Sequence, residues 1–121
     1  MWPTEELEET ICGDPPSGWS LGHMTLMLRN PDRKVPIEAW RRGAFGIHKR
    51  HLGGFEEFVL SHAPTGLRIY SFATSDDAAE CAKRIEPLTD WSAISEKFES
   101  GSDLFSRVKP IVEEIHERDQ H

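Results

Sequence analysis

Two histidines, His48 and His51, lie three residues apart in a short basic tract of this 121-residue chain. On a helix this spacing would place both imidazoles on one face, where Glu56 or Glu57 could complete a metal site. On a strand the two side chains point to opposite faces. Because apolar and polar residues alternate through the preceding positions, as in a half-buried strand, the sequence predicts a basic strand end and no metal site.

A second set of reactive residue types is Ser61 beside His62, with Tyr70 and Ser71 on the next predicted strand. Nucleophilic catalysis needs a histidine within reach of the nucleophile and a third group that orients the histidine. The sequence has no Gly-x-Ser-x-Gly elbow, no Cys-x-x-Cys or His-Glu-x-x-His spacing and no phosphate-binding loop with its lysine. We therefore expect no catalytic residues and no cofactor, and the protein is predicted not to be an enzyme.

Basic residues are concentrated between positions 29 and 51, where seven cations face two acids. Trp40 and Phe45 are interleaved with them. Arginine and aromatic side chains together can bind phosphate and stack on bases. The alternative function is therefore a small nucleic-acid-associated regulator that uses this basic segment, with these candidate contacts: Arg41, Arg42, Lys49 and Arg50.

The rest of the chain is strongly acidic. Because residues 29–51 contribute +5 to a total of −7, the other residues carry −12. Such a surface repels nucleic acid but can occupy the basic groove of a protein that handles nucleic acid. The sequence therefore favours a non-enzymatic macromolecule-binding protein that acts through an acidic surface, with a protein partner.

The order of these residues indicates one domain with an acidic N-terminal arm. Residues 1–20 hold five acids, no bases and a Gly-Pro-rich tract, and we expect a loosely ordered arm that Trp2 and Trp19 tie down. Residues 21–118 are predicted to form a single α+β domain, and residues 119–121 a frayed tail. No signal peptide or apolar run of about 18 residues is present, so a cytoplasmic protein with reduced cysteines and no membrane contact is expected.

Three stretches in the first half of the chain are predicted to be strands or a connection. Residues 21–28 favour a strand, with a helix as the competing interpretation because Met and Leu are good helix formers. Residues 30–43 are predicted to be a connection with one helical turn after Pro36. Residues 44–50 alternate as a strand.

The clearest motif is a hairpin of residues 55–62 and 67–72, joined by a type I turn with Gly66 in the left-handed region. Its register is predicted to pair Ala63 with Leu67. One face is then an aromatic core face: Phe58, Leu60, Tyr70 and Phe72. The other face is half apolar and is predicted to bind a partner together with two tryptophans, which gives these candidate residues: Val59, Leu67, Ile69, Trp19 and Trp40.

Three helices are predicted after the hairpin. Thr74 or Ser75 caps the first, which has one apolar stripe: Ala78, Cys81, Ala82 and Ile85. A second, short helix carries Ile94 and Phe98, and a third begins after Ser102 and contains Pro110. Its residues from Glu113 onward are predicted to fray. The predicted fold class is α+β, an antiparallel sheet of three to four strands followed by three helices packed mainly on one face.

Residues 58–92 resemble small uncharacterised proteins encoded by bacterial phages and plasmids. The resemblance is carried by Pro64-Thr65-Gly66, by Phe72, by the Ala-rich helix and by Asp90-Trp91-Ser92. It implies no activity of its own. Together with the acidic surface, it favours an accessory or inhibitory factor of a mobile element. The protein is expected to be a monomer or a homodimer.

Overall fold

The computed structural model describes residues 8–9, 15–28, 33–52, 55–94 and 103–119, which form one antiparallel sheet and two α-helices. The strands are β1 (Glu8–Glu9), β2 (Ser20–Leu28), β3 (Arg33–Arg42), β4 (Phe45–Leu52), β5 (Phe55–His62) and β6 (Leu67–Phe72). The helices are α1 (Ser75–Ile85) and α2 (Asp103–Asp119), with 3-10 turns at Glu86–Leu88 and Trp91–Ala93 between them. The α+β class is therefore confirmed, with more strands and fewer helices than predicted.

The sheet order is β2-β3-β4-β5-β6, so β2 and β6 lie at opposite edges. β4 pairs with β5 along its whole length and divides its other side between two strands. Trp40–Arg42 of β3 pair with its first residues, and β1 pairs with Lys49 and Arg50. Part of the predicted N-terminal arm is therefore a strand of the sheet.

Residues 33–42 form a long strand where the sequence predicted a connection, so that prediction is wrong. β3 pairs with β2 from Arg33 to Arg41 in continuous register, with Pro36 opposite Thr25. Proline removes one backbone donor and is tolerated where a strand has a neighbour on one side only. β3 meets β4 only at Trp40–Arg42, so Pro36 lies in a stretch with that freedom. The strand interpretation of residues 21–28 is confirmed, because they belong to β2.

The β5–β6 hairpin forms with the predicted turn, and Gly66 has a φ of 74°. Its register shifts by one residue between Leu60 and Ser61, so His62 and not Ala63 lies opposite Leu67. Two residues of β6 then face the same side, as in a β-bulge. The predicted second-face position of Ile69 is therefore wrong, because Ile69 packs in the core beneath the helices.

The β2–β3 hairpin curls over the face of the sheet opposite the helices. Met27 N–H donates to the Gly66 carbonyl at 2.9 Å, which connects β2 to the turn that precedes β6. A small cluster of Met24, Leu26 and Ala39 fills the space beneath the hairpin. The approach is so close that a Cβ at Gly66 would overlap the Thr25 carbonyl oxygen.

The helices cover the other face and complete the main core. Thr74 caps α1 by accepting from Asp77 N–H, and the predicted stripe of α1 is buried. α2 contains Pro110 and continues to Asp119, so the predicted fraying from Glu113 is wrong. Arg118 anchors this end of α2 to α1 through ion pairs with Asp77 at 3.0 Å and Glu80 at 2.9 Å.

Of the second predicted helix, the described residues include only the 3-10 turn at Trp91–Ala93, and Phe98 lies outside the described residues. Trp91 is buried in the main core, where its indole N–H donates to the Ile85 carbonyl at 2.9 Å. In the part of the chain that is described, no helix combines the length and apolar character that crossing a membrane requires.

Candidate functional site

The edge strand β6 presents an aromatic side chain beside an apolar groove. Tyr70 is 44% exposed although the sequence predicted it in the core. The groove has a volume of about 90 Å³ and runs between β6 and α2. We call Tyr70 and this groove the Tyr70 surface, whose apolar members are Ile69, Tyr70, Phe105, Val108 and Val112.

Contacts with the rest of the protein hold the Tyr70 ring in place. The ring lies 5.8 Å from Phe72 and meets the His116 imidazole edge-on at 5.0 Å between centroids. His116 is fixed in turn by a hydrogen bond from its Nε2 to the Ser71 carbonyl at 3.2 Å. Aromatic pairs of this kind contribute about 1 kcal/mol each beyond their buried area. The exposed ring is therefore ordered before any partner arrives.

The bulge in β6 explains how the strand builds this surface. In a regular strand Ile69 and Tyr70 would point to opposite faces. With one extra residue in β6, both side chains contact the α2 side, Ile69 buried and Tyr70 at the rim. Both residues line the apolar groove and also a second, polar groove of about 420 Å³. The polar groove is completed by Glu57, Arg68, Ser71 and His116.

The residues predicted to bind a partner are mostly inside the molecule. Trp19 is 5% exposed and Trp40 stacks on Phe58 with 6.5 Å between ring centroids. Val59 and Ile69 are buried and Leu67 is half-buried. The half-apolar second face at Val59 is therefore covered within the chain itself, and Ile69 alone of the four buried residues lines the Tyr70 surface.

The four candidate nucleic-acid contacts all make internal contacts. Three of them pair with acids: Arg42 with Glu86 at 3.3 Å, Lys49 with Glu56 at 3.2 Å and Arg50 with Glu57 at 3.1 Å. The Lys49 and Arg50 pairs join neighbouring strands, where opposite charges stabilise the sheet.

Arg41 has a structural role of a different kind. Its guanidinium donates to the carbonyls of Phe45 at 3.1 Å, His23 at 2.9 Å and Gly43 at 2.9 Å. These bonds join β2, the end of β3 and the beginning of β4. Elsewhere in the basic segment, Arg33 and Lys34 are exposed and make no ion pair with any residue that the structure describes.

His48 and Cys81 are both buried inside the protein. His48 is buried on β4, and the His51 side chain lies outside what is described. Within the described ranges, no three His, Cys, Asp or Glu side chains could hold a metal ion together. Burial raises the pKa of the Cys81 thiol to about 12, so this thiol stays protonated and unreactive at neutral pH.

Ser61 and His62 do not form a nucleophile pair. His62 makes hydrogen bonds through Nδ1 to Thr65 at 2.8 Å and through Nε2 to the Trp91 carbonyl at 2.7 Å. Ser61 is fully buried, and its Oγ has no hydrogen-bond partner among the described atoms. Both ring nitrogens of His62 are therefore directed to groups other than Ser61.

Acidic side chains on the helices are likewise engaged by cations. Arg84 bonds Glu114 and lies 3.7 Å from Glu80, and Arg118 bonds Glu80 and Asp77. The Arg118 guanidinium holds the pKa of Glu80 below its usual range. These pairs balance much of the negative charge where α1 and α2 meet.

An open cleft of about 630 Å³ lies between residues 16–19 and α1. Its walls mix acids and cations, including Arg42, Glu80, Lys83 and Arg84. Arg42 and Arg84 are both held by carboxylates. Three cations and two acids line the cleft beside Trp19 and Ala79, so neither one sign of charge nor an apolar surface dominates it.

Comparison of the chain with protein-family models, with curated proteins and with solved structures finds no match. Sequence reasoning placed Tyr70 in the core because a regular hairpin register puts it beside Leu60 and Phe72. The signal that could have corrected this is the presence of Ile69 and Tyr70 as adjacent large apolar residues, which a bulge can turn toward one side.

Proposed function

We propose that this protein is a non-enzymatic binding protein that contacts a protein partner through the Tyr70 surface. The observation that carries the proposal is the exposed Tyr70 ring, packed on His116 beside the apolar groove of Phe105, Val108 and Val112. Tyrosine is enriched among the residues that dominate interface energies, where it sits beside pockets and excludes water. A partner would insert an apolar side chain into the groove and cover the ring.

Preorganisation supports this role for the Tyr70 surface. Ordering a mobile side chain at an interface costs about 1 kcal/mol. The Tyr70 ring is already positioned by Phe72 and His116, so less of this cost falls on binding. The adjacent groove, which Glu57, Arg68, Ser71 and His116 line, gives the Tyr70 surface a polar border, as protein interfaces commonly have.

Because acids on the helices are paired with cations, we place the proposed contact at the Tyr70 surface and not at the acidic surface that the sequence favoured. The helix acids described above are already paired with Arg84 and Arg118, so they present a reduced field to a basic partner. An accessory or inhibitory role for a phage or plasmid stays a prediction from the resemblance. It is compatible with a protein partner at Tyr70.

Nucleic-acid binding is the second candidate function, and the exposed cations Arg33 and Lys34 favour it. Both lie at the start of β3, where the β2–β3 hairpin turns. The cations first proposed, Arg41, Arg42, Lys49 and Arg50, would have to leave their internal partners to bind phosphate. A contact through the two exposed cations alone would be weak and strongly dependent on salt.

Affinity capture with matched variants tests the proposal. Tagged wild-type protein, Tyr70→Ser and Leu21→Ser are used to capture proteins from lysate, each with and without nuclease treatment. Leu21 is the control because it is 59% exposed on the opposite edge strand. We expect a protein that wild type and Leu21→Ser retain and that Tyr70→Ser loses, independent of nuclease.

Two outcomes would contradict the proposal. Equal capture by wild type and Tyr70→Ser would remove the Tyr70 surface from the contact. Loss of every captured protein after nuclease treatment would favour the nucleic-acid alternative, which a salt-dependent shift of labelled DNA or RNA and its loss in Arg33→Glu/Lys34→Glu would then support.

A further inference from the structure

Two charged side chains of opposite sign border the apolar groove of the Tyr70 surface. Lys109 and Glu113 lie about one turn apart on α2 and line the groove beside Val108 and Val112. Their side chains are 64% and 63% exposed, and Lys109 Nζ lies 3.8 Å from Glu113 Oε2. A pair this exposed on one helix contributes little to stability, so both charges are available for other contacts at small cost.

The exposed ring and the far end of the groove lie at different heights along α2. Tyr70 meets the imidazole of His116 edge-on, and His116 follows Glu113 by about one turn. Phe105 and Val108 line the groove two to three turns before His116 in the same helix. The Tyr70 surface therefore has a partly exposed aromatic ring toward the C-terminal end of α2 and an apolar groove that extends toward its N-terminal end.

A two-fold axis would bring these complementary features together. In a two-fold symmetric dimer both copies use the same surface, and each contact occurs twice. When the axis crosses α2 between Lys109 and Glu113, the two α2 helices run antiparallel and Lys109 of each copy faces Glu113 of the other. The same rotation carries each Tyr70 ring from the His116 end of its own helix to the Phe105 end of the other groove.

We propose that a second copy of this chain covers the Tyr70 surface of the free protein, in an antiparallel two-fold symmetric dimer. The inference rests on the proposed function, because it takes the Tyr70 surface to be a contact surface. Each copy provides both the aromatic ring and the groove that receives it. Lys109 and Glu113 determine the antiparallel direction, because a parallel pair of α2 helices would bring like charges together.

This dimer is weak and reversible for two reasons. The apolar groove is small, with a volume of about 90 Å³. Each copy also carries a net charge of −7, so electrostatic repulsion opposes association. Small interfaces are typical of transient complexes, and we expect a dissociation constant on the order of 10 µM.

A reversible dimer would regulate the proposed function. Self-association and partner binding use the same surface, so they exclude each other. In the free protein the dimer keeps the Tyr70 ring and the groove covered, which limits non-specific apolar contacts. A partner that binds one copy shifts the equilibrium toward the monomer.

Sedimentation velocity of the purified full chain over a range of concentrations tests the dimer. In about 0.15 M salt, exposed charges more than about 8 Å apart are largely screened, so the contacts at the interface dominate. We expect wild type to change from monomer to dimer as its concentration rises through the dissociation constant. Tyr70→Ser should weaken dimerisation by about 30-fold or more, because the ring is lost from both sides of the interface.

Charge reversal tests the antiparallel arrangement. Lys109→Glu and Glu113→Lys each place like charges opposite one another, and each variant alone should dimerise about tenfold more weakly than wild type, since the contact occurs twice. An equimolar mixture of the two variants should form a heterodimer, because one copy then presents two acids to two bases on the other.

Arg107→Glu is the matched control for these variants. It changes the charge of the same helix by the same amount as Lys109→Glu. Arg107 is exposed, does not line the groove and lies about 200° around the helix from Lys109. We expect Arg107→Glu to dimerise as wild type does, with circular dichroism confirming that each variant is folded.

Three results would overturn the proposal. They are a wild-type protein that stays monomeric up to about 1 mM, a Tyr70→Ser variant that dimerises as wild type does, and a mixture of Lys109→Glu with Glu113→Lys that associates no better than either alone. The first needs no variant. A monomeric wild type that still captures a partner lost by Tyr70→Ser would contradict the dimer and leave the proposed function standing, whereas a dimer with equal capture by both would contradict the proposed function alone.

Discussion

Among the side chains that the structure describes, each edge strand of the sheet exposes one large apolar residue, and the surroundings of the two residues differ. Leu21 on β2 is 59% exposed and Tyr70 on β6 is 44% exposed. Tyr70 packs on Phe72 and His116 and borders an apolar groove. Leu21 is paired only across the sheet with Trp40, and no described groove adjoins it.

This difference shows why exposure alone is a poor guide to a binding surface. Single exposed apolar residues are normal on soluble proteins. A side chain becomes a candidate anchor when its own structure orders it and a groove beside it can receive a partner. Tyr70 meets both conditions because α2 contacts β6. Leu21 lies on β2, at the opposite edge of the sheet.

The largest expected loss of stability comes from a substitution at Gly66, where the turn that precedes β6 contacts β2. An added Cβ in Gly66→Ala would overlap Thr25 O and lie 2.9 Å from Met27 N, at a φ of 74° that disfavours alanine. Because backbone atoms cannot move aside, we expect a loss of about 3 kcal/mol in the free energy of unfolding.

Gly46→Ala is the matched control for this loss. Its Cβ would meet the Met24 side chain, which can change rotamer, so we expect a cost of about 1 kcal/mol. Urea unfolding of both variants gives the comparison. Equal losses in the free energy of unfolding would mean that the close contact between Gly66 and β2 does not carry the stability assigned to it.

A smaller loss of stability is expected from substitutions of two neighbouring arginines at the end of β3, and it should differ between them. Arg41→Gln removes three charge-assisted bonds to backbone carbonyls, including His23 O on β2, and we expect it to cost about 2 kcal/mol. Arg42→Gln removes a surface pair with Glu86, which is worth about 0.5 kcal/mol or less. Thermal and urea unfolding measure both, and a larger loss for Arg42 would contradict the structural role of Arg41.

Local sequence signals predicted the hairpin and the two helices α1 and α2. The Pro-Thr-Gly turn predicts the positive φ of Gly66. The capping residue Thr74 and the apolar stripe from Ala78 to Ile85 predict where α1 begins and which face it buries. In these elements the interactions that decide the structure are close in sequence. In α2 the apolar residues Val108, Val112 and Ile115 follow helical spacing in the same way and are buried.

Long-range pairing explains the errors. Residues 33–42 become a strand because β2 pairs with them, and no residue within the segment itself signals this register. The bulge at Ile69 and the exposure of Tyr70 depend on how α2 packs against β6. The burial of Val59, Trp19 and Trp40 depends likewise on segments distant in the chain, so the candidate site could not be located from the sequence.

The most direct test of the Tyr70 surface is the dissociation constant of the captured partner, measured by calorimetry for wild type, Tyr70→Ser and Leu21→Ser. We expect Tyr70→Ser to weaken binding about 30-fold, which corresponds to the cost of about 2 kcal/mol that marks an interface hot spot. Leu21→Ser should bind as wild type does. Equal affinities for wild type and Tyr70→Ser, with both proteins folded, would contradict the account.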